Sequence, residues 1–385
     1  MTQTPLIQDE YVEAPGRRIL ARLQAEKDAG RPTVGLYCCF APLEIIWAAG
    51  AVPVGLCATS QRTISKAETV LPANLCPLIK SSFGFIFTET CPFYNISEVI
   101  VAETTCDGKK KMFELIKDLK PTLILELPQM PEEETSFQRW LESVGQFKSF
   151  LEESFSREIG PQDLEQAIRE ANRRRSLLLE IIGYAKYDPP LINWVEVKEI
   201  TALAGMFAGP EMIEFLVRIG RLLADRRRMA STEERRPQPR IMVTGCPIGG
   251  DAEKVFQVIE DLGGAVVAQE ACSGLKPLWF NIEEGTADPL AAIARRYFYL
   301  PCSCMTPNSR RLTYIDELIE TFRPDAVIDV ILNGCHTYNI ESHLIKKHVT
   351  GKFGRPFLKL ETDYSEGDLG QLQLRIGALL EMVKR

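Results

Sequence analysis

The sequence predicts an α/β protein: two flavodoxin- or Rossmann-like parallel-sheet domains with an intervening helical segment. Three observations predict it. Short apolar runs alternate with helical patterns in both flanks of the chain, as parallel sheets with crossover helices require. A central stretch keeps an apolar period of three to four residues. Cysteines recur just beyond the apolar runs in both flanks. The length of 385 residues exceeds one ordinary core and fits several domains. The expected division is residues 1–135 as an N-terminal α/β domain with cluster cysteines, 136–236 as the helical segment and linker, and 237–385 as a C-terminal α/β domain with further cluster cysteines.

In the first flank, Thr33–Tyr37 reads as a strand, Pro42–Ala49 as a helix stopped by Gly50, and Ala51–Leu56 as a second strand. Leu115–Leu119 belongs to a helix that Pro121 stops, and Thr122–Leu127 is another strand. From Ser136 to Arg228 the pattern is helical. Trp140, Val144, Phe147, Leu151 and Phe155 form one apolar face, Gly160-Pro161 punctuates, and Leu164, Ile168, Leu177 and Ile181 mark the next helix. Asp188-Pro189-Pro190 breaks the run, helix resumes through Met206 and Met212 to Leu223, and Ser231–Arg240 reads as a linker.

The second flank repeats the first. Ile241–Thr244 is a strand, Gly245–Gly250 a tight loop, and Asp251 a cap for a helix to Leu262. Gly263-Gly264 ends that helix and Ala265–Gln269 is the next strand. Helix Tyr314–Phe322 precedes strand Asp325–Leu332, and strand Pro356–Leu360 precedes helix Leu369–Val383. In both flanks a strand runs into a cysteine (Cys38 or Cys246), then a helix, glycine, and a strand running into another (Cys57 or Cys272). This points to a structural duplication.

A net charge of −7 disfavours nucleic acid, which needs a concentrated basic surface. No apolar run approaches the ~20 residues that span a bilayer, and the first residues lack a signal-peptide pattern. The expectation is a cytoplasmic protein with no membrane partner, in a compartment where thiols stay reduced.

Eleven cysteines against three histidines make a soft, thiolate-rich donor set, suited to iron–sulfur or zinc. No C-x-x-C pair occurs, which disfavours a zinc ribbon. Cys38, Cys246, Cys272 and Cys335 fall just past expected strand ends, where an open parallel sheet places its ligand crevice. Cys302 and Cys304 form a C-x-C. Cys39 and Cys57 read as small buried hydrophobes.

Gly249 and Gly250 offer helix-start amides to an anion, but no Lys-Ser or Lys-Thr follows them, so the pattern is not a nucleotide-triphosphate loop. Lys109, in the run Lys109–Lys111 beside Cys106, offers positive charge to an anionic cofactor or an acidic partner, or is simply an exposed helix start. His336, Glu361 and Asp363 are candidate proton donors; capping and turn roles suit Asp363 equally.

Tyr37-Cys38-Cys39-Phe40-Ala41-Pro42-Leu43-Glu44, with Ala48-Ala49-Gly50 and Pro53-Val54, resembles the opening motif of the 2-hydroxyacyl-CoA dehydratase/benzoyl-CoA reductase family. Cys76-Pro77, Thr105-Cys106-Asp107-Gly108, Asp329-Val330 with Cys335-His336, and Glu361-Thr362-Asp363 with Gly370-Gln371 and Arg375 resemble its later motifs. The segments around Cys246, Cys272 and Cys302–Cys304 are most similar to the double-cubane cluster proteins of that family.

The resemblance implies two α/β domains with a helical part, in a dimer. It implies a 4Fe–4S cubane on Cys76, Cys106 and Cys335, and electrons from a separate ATP-hydrolysing 4Fe–4S activator. In the double-cubane branch, two cubanes share a bridging sulfide and six cysteines. The further ligands would then come from Cys38, Cys246, Cys272, Cys302 and Cys304.

The leading expectation is an oxygen-sensitive, homodimeric reductase that performs ATP-dependent, low-potential reduction of a small molecule. The apolar run Met212–Leu216 is its candidate dimer interface. The second is a 2-hydroxyacyl-CoA dehydratase component with a single cubane, working through a ketyl radical. The third is a non-catalytic electron-transfer or cluster-carrier protein.

Overall fold

A computed structural model describes residues 15–230 and 238–384. The expected linker therefore lies mostly outside the described residues, at 231–237, as do the first residues of the chain. In order, the elements are α1 (Pro15–Asp28), β1 (Thr33–Leu36), α2 (Leu43–Ala48), β2 (Val52–Gly55), α3 (Ile64–Ala67), α4 (Pro77–Phe87), α5 (Pro92–Ile96), β3 (Val99–Glu103), α6 (Asp107–Ile116) and β4 (Thr122–Leu125). Then come α7 (Glu134–Phe155), α8 (Pro161–Ile182), α9 (Trp194–Met206) and α10 (Pro210–Met229). The last part holds β5 (Arg240–Gly245), α11 (Lys254–Asp261), β6 (Ala265–Glu270), α12 (Pro289–Phe298), α13 (Ser309–Phe322), β7 (Ala326–Leu332), α14 (His336–Phe353), β8 (Phe357–Thr362) and α15 (Leu369–Val383).

The strands make two four-stranded sheets in the orders β2-β1-β3-β4 and β6-β5-β7-β8, and every pairing is parallel. The orders are identical, so the likeness of the two flanks extends to topology. β1, β3, β5 and β7 are buried along their whole length, as strands covered on both faces must be.

The helical stretch is not a separate layer. Trp140, Val144, Phe147 and Leu151 on α7 are fully buried in one core with Val34, Val101 and residues of α12, so part of the second flank packs back over the first sheet. Met212 and Leu216 on α10 are also fully buried, in a second core that includes residues of both sheets. That removes Met212 and Leu216 from the candidate dimer interface: α10 is amphipathic, these two side chains sit on the stripe that faces its own chain, and only Ile213 and Phe215 of the run stay half-buried.

Trp140 is the largest of these plugs. Its indole N–H donates to the Ala294 carbonyl at 2.9 Å, tying α7 to α12. Replacing Trp140 with Ala removes the ring, leaves a cavity and frees a buried carbonyl. Chemical denaturation should show a loss of about 3–5 kcal/mol.

A short polar seam also joins the two halves. Asp251, expected to cap a helix, instead accepts hydrogen bonds from Ser60 Oγ at 3.0 Å and Gln61 N at 2.7 Å. The Asp251 amide donates to Thr59 O at 2.9 Å. Gly334, with φ +75°, lies against Asn74 and Cys76; a Cβ there would stand 2.7 Å from Asn74 O.

Candidate metal centre

Each sheet changes direction at its middle. β1 and β3 are neighbours whose connections run to opposite sides, and so are β5 and β7. The loops leaving such a pair diverge and leave a crevice at the carboxyl end. Cys38 and Cys39 follow β1, and Cys106 follows β3; Cys246 follows β5, and Cys335 follows β7. Cys57 and Cys272 follow the flanking strands β2 and β6, while Cys302 and Cys304 lie between α12 and α13.

The seam brings the two crevices together. Cys39 Sγ lies 3.6 Å from Cys272 Sγ, across the halves. Cys38 interacts electrostatically with Cys39, Cys272 with Cys302, and Cys302 with Cys304. These five thiols form one group. Cys335 interacts in the same way with Cys246, Cys76 and Cys106, giving a second group of four. Interactions of Cys38 with Cys106 and of Cys302 with Cys335 link the groups.

Within each group some sulfurs are favoured as thiolates. The adjacent Cys39 thiol lowers the Cys38 thiol to about 6. The neighbouring Cys246 lowers Cys335 to about 7, and Cys272 and Cys304 hold Cys302 well below the usual thiol range. Burial pushes Cys76 up to about 12.

Three helix starts aim at the second group. Cys76, Cys106 and Cys335 are the residues immediately before α4, α6 and α14. None of the three sulfurs accepts a hydrogen bond from the amides of the turn it precedes, but each stands at the positive end of its helix. A helix start favours an anionic sulfur.

Among the described residues, no three His, Cys, Asp or Glu side chains are placed around a single ion. Ligands of a cluster bond different irons at its corners and stand farther apart. A buried, thiol-only donor set with helix starts and little imidazole fits an iron–sulfur cluster better than a lone ion.

The other expected site residues divide. Lys109 is buried, unlike Lys110 and Lys111, and its Nζ donates to Tyr37 O at 2.8 Å. That removes the exposed-helix-start alternative for it. Asp107 sits in the first turn of α6, exposed and paired with Lys110 at 2.8 Å.

Gly249 and Gly250 lie against Thr59, and the Gly250 amide donates to Glu253 at 3.1 Å. This loop packs the two halves together and does not form an open anion cradle. His336 is exposed at the start of α14. Glu361 and Asp363 line a polar pocket of about 510 Å³ with Asn333, Lys359 and Arg375. Asp363 also accepts from the Ser365 amide at 2.7 Å, the local turn role its position suggested.

The structure corrects two cysteines. Cys39 is half-buried within the thiol network, because it shares the β1 loop with Cys38. Cys57 belongs to an exposed residue, but its sulfur turns inward and donates to Tyr37 O at 2.9 Å. Two residues at the centre were missed: Glu103, fully buried at the end of β3, and Lys276, fully buried beside Cys272. The apolar run Val99–Ala102 was the available signal for the first.

A family model described as 2-hydroxyglutaryl-CoA dehydratase, D-component, matches residues 38–383, a span that holds all eleven cysteines. The chain is 40% identical over 384 residues to YjiM of Escherichia coli (strain K12), named provisionally as a dehydratase subunit, covering 100% of this chain and 99% of that one. It is 23% identical over 368 residues to lactoyl-CoA dehydratase subunit beta of Anaerotignum propionicum, with 92% and 93% covered. It is 20% identical over 391 residues to (R)-2-hydroxyglutaryl-CoA dehydratase, subunit beta, of Acidaminococcus fermentans, with 99% and 100% covered. Among the described residues, no helix is long and apolar enough to cross a membrane.

Proposed function

Because this chain belongs to the 2-hydroxyglutaryl-CoA dehydratase D-component family, we propose that it is an iron–sulfur reductase of that family's double-cubane branch. The observation that carries the reading is the pair of linked thiol groups at the facing sheet ends. A single cubane of this family needs three cysteines, and this site gathers nine.

Cys76, Cys106 and Cys335 would hold one cubane, with Cys246 beside them. Cys38, Cys272, Cys302 and Cys304 would supply the other, with Cys39 in contact. Such a centre supplies single low-potential electrons. The chain's own part is to bury the sulfurs, aim helix starts at them and exclude water. Glu361 and Asp363, in the polar pocket that Asn333 joins to the Cys335 loop, are proposed to handle protons for a bound small molecule, with the exposed His336 as a further candidate. We further propose a cytoplasmic homodimer, since one chain carries both thiol groups.

A dehydratase reading has its own support, because the relatives carry that name. Anaerobic assays separate the two. Under the reductase reading, an ATP-hydrolysing iron–sulfur activator drives reduction of a small molecule, and 2-hydroxyacyl-CoA thioesters are not dehydrated. Turnover of such a thioester with activator and ATP would select the dehydratase.

The Gly245–Gly250 loop lacks the lysine of a triphosphate loop, and its Gly250 amide is held by Glu253. The purified chain alone is therefore expected to show no ATP hydrolysis, and dithionite alone should reduce it incompletely. Robust ATP turnover without a partner would sink this division of labour.

A further inference from the structure

Three lysines of this protein are buried among the described residues: Lys80, Lys109 and Lys276. Lys80 pairs with Glu68 at 2.7 Å, and Lys276 with Glu270 at 3.0 Å. Lys109 differs. Among the described residues no carboxylate oxygen lies within 4.0 Å of its Nζ, and its one hydrogen bond goes to the neutral Tyr37 carbonyl.

The buried acid that interacts with it, Glu103, makes no ion pair with it. Glu103 is fully buried, accepts from the Ala41 amide at 3.0 Å through Oε1, and has no partner at Oε2. Burial, then the adjacent Cys38, push its carboxyl well above the usual range, which disfavours its charged form. A buried ammonium without an anion costs several kcal/mol, enough for a chain to discard it.

Sulfur surrounds this ammonium. The Tyr37 carbonyl that accepts from Lys109 also accepts from Cys57 Sγ at 2.9 Å. Cys38 is the next residue after Tyr37. Cys106 stands one helical turn before Lys109, immediately ahead of α6, and interacts electrostatically with it. The side-chain charge of Lys109 thus faces Cys38, Cys57 and Cys106 together.

We propose that Lys109 is the fixed cationic counter-charge of the iron–sulfur centre, a positioning residue that raises its reduction potential and tightens its hold on iron. This rests on the iron–sulfur reading above. Reduction adds negative charge, and a nearby buried cation stabilises the reduced state more than the oxidised one. Lys276 cannot do the same alone, because Glu270 cancels its charge.

The test compares K109M, K109Q and K109R with the wild-type chain, each iron-loaded and iron-free. K109Q keeps a donor toward the Tyr37 carbonyl and loses the charge; K109R keeps the charge. In anaerobic redox titrations followed by electron paramagnetic resonance, K109M and K109Q should be half-reduced at more negative potential, and K109R close to wild type. Iron release to a chelator should be about tenfold faster in the two neutral variants. Thermal unfolding should change sign with loading: iron-free K109M melts above iron-free wild type, and the loaded variant melts below its loaded counterpart.

An unchanged potential in both neutral variants would overturn the proposal. So would equal destabilisation of the iron-free and loaded forms, which is what a merely structural contact gives. A wild-type chain that takes up no iron fails the underlying reading. The iron-free melting comparison then stands alone: a rise in K109M keeps Lys109 as half of an ion pair whose anion is absent, and a fall overturns it.

Discussion

Anaerobic reconstitution is expected to load about eight irons per chain, with slightly more sulfide than iron, as a sulfide-bridged pair of cubanes ligated by thiolates requires. The expectation follows from where the sulfurs sit. A single cubane on Cys76, Cys106 and Cys335 would use one thiol group and leave the other, Cys38, Cys39, Cys272, Cys302 and Cys304, gathered across the seam without a ligand. Thiols so disposed, with Cys302 and Cys38 favoured as thiolates by their neighbours, are the second site that the double-cubane reading proposes.

Replacing Cys106 with Ala should remove about half of the iron. Cys91 is the control. It is buried at the start of α5, its sulfur accepts from the Tyr94 amide at 3.3 Å, and it joins neither group, so Cys91→Ala should leave the iron content unchanged. About four irons per fully loaded chain would end the double-cubane reading and promote the dehydratase. Tightly held zinc with no iron would end both.

The second large effect is on stability. Glu270, at the end of β6, is fully buried between two cations: Lys276 Nζ at 3.0 Å and Arg311 Nη2 at 3.0 Å. Thr244 Oγ1 donates to the same carboxylate at 2.5 Å, and Lys276 continues to the Tyr338 hydroxyl at 2.9 Å. Tyr338 lies in the first turn of α14, behind Cys335, so this network braces the floor beneath one thiol group.

Glu270→Gln strands a buried ammonium and weakens the hold on Arg311. The expected loss is about 3–5 kcal/mol, read from the midpoint of chemical denaturation. A loss under about 1 kcal/mol, the range of a surface pair, would show that the site relaxes or admits water.

The same residue sets an acid limb. Burial pushes the Glu270 carboxyl up, but Arg311, Lys276 and the Thr244 bond outweigh it and hold it below the usual range. A carboxyl depressed in the folded state contributes stability that is fully present above its unfolded pKa. That contribution is lost as pH falls through the folded value. Stability measured from neutral pH downward should therefore fall less steeply in Glu270→Gln than in the wild-type chain.

Most strands were legible in the sequence because a strand buried on both faces reads as a run of apolar residues whatever its partners. Thr33–Tyr37, Ala51–Leu56, Ile241–Thr244 and Asp325–Leu332 correspond to β1, β2, β5 and β7 within two residues at either end. β3 was missed although Val99–Ala102 has the same character. It sits between the short α5 and the Cys106 loop, with no long helical pattern on its near side to frame it. α12 was missed too, and its Asp288 cap and Pro289 start were the available signals. The soft, thiol-rich nature of the site was legible from composition alone, since eleven cysteines and three histidines restrict the donor set before any fold is known.

What only the tertiary structure decided is which thiols meet. Cys39 and Cys272 are 233 residues apart and 3.6 Å apart in space, a contact set by two sheets presenting their carboxyl ends to one seam. Nothing local to either residue encodes that. The same holds for charge: Lys109, Lys110 and Lys111 are equivalent in sequence, yet the α6 helix turns the first beneath the β1 loop and leaves the others in water. Glu103 and Glu270 end apolar strands and would each be out of place there alone. Arg311, which faces Glu270, and the Ala41 amide, which faces Glu103, come from elements distant in the chain. The sequence by itself thus determined the strands and the kind of donor atom, because both depend on residue type and local pattern. Which sulfurs, carboxylates and ammonium groups share a site depends on how the two sheets are packed, and only the folded chain decides it.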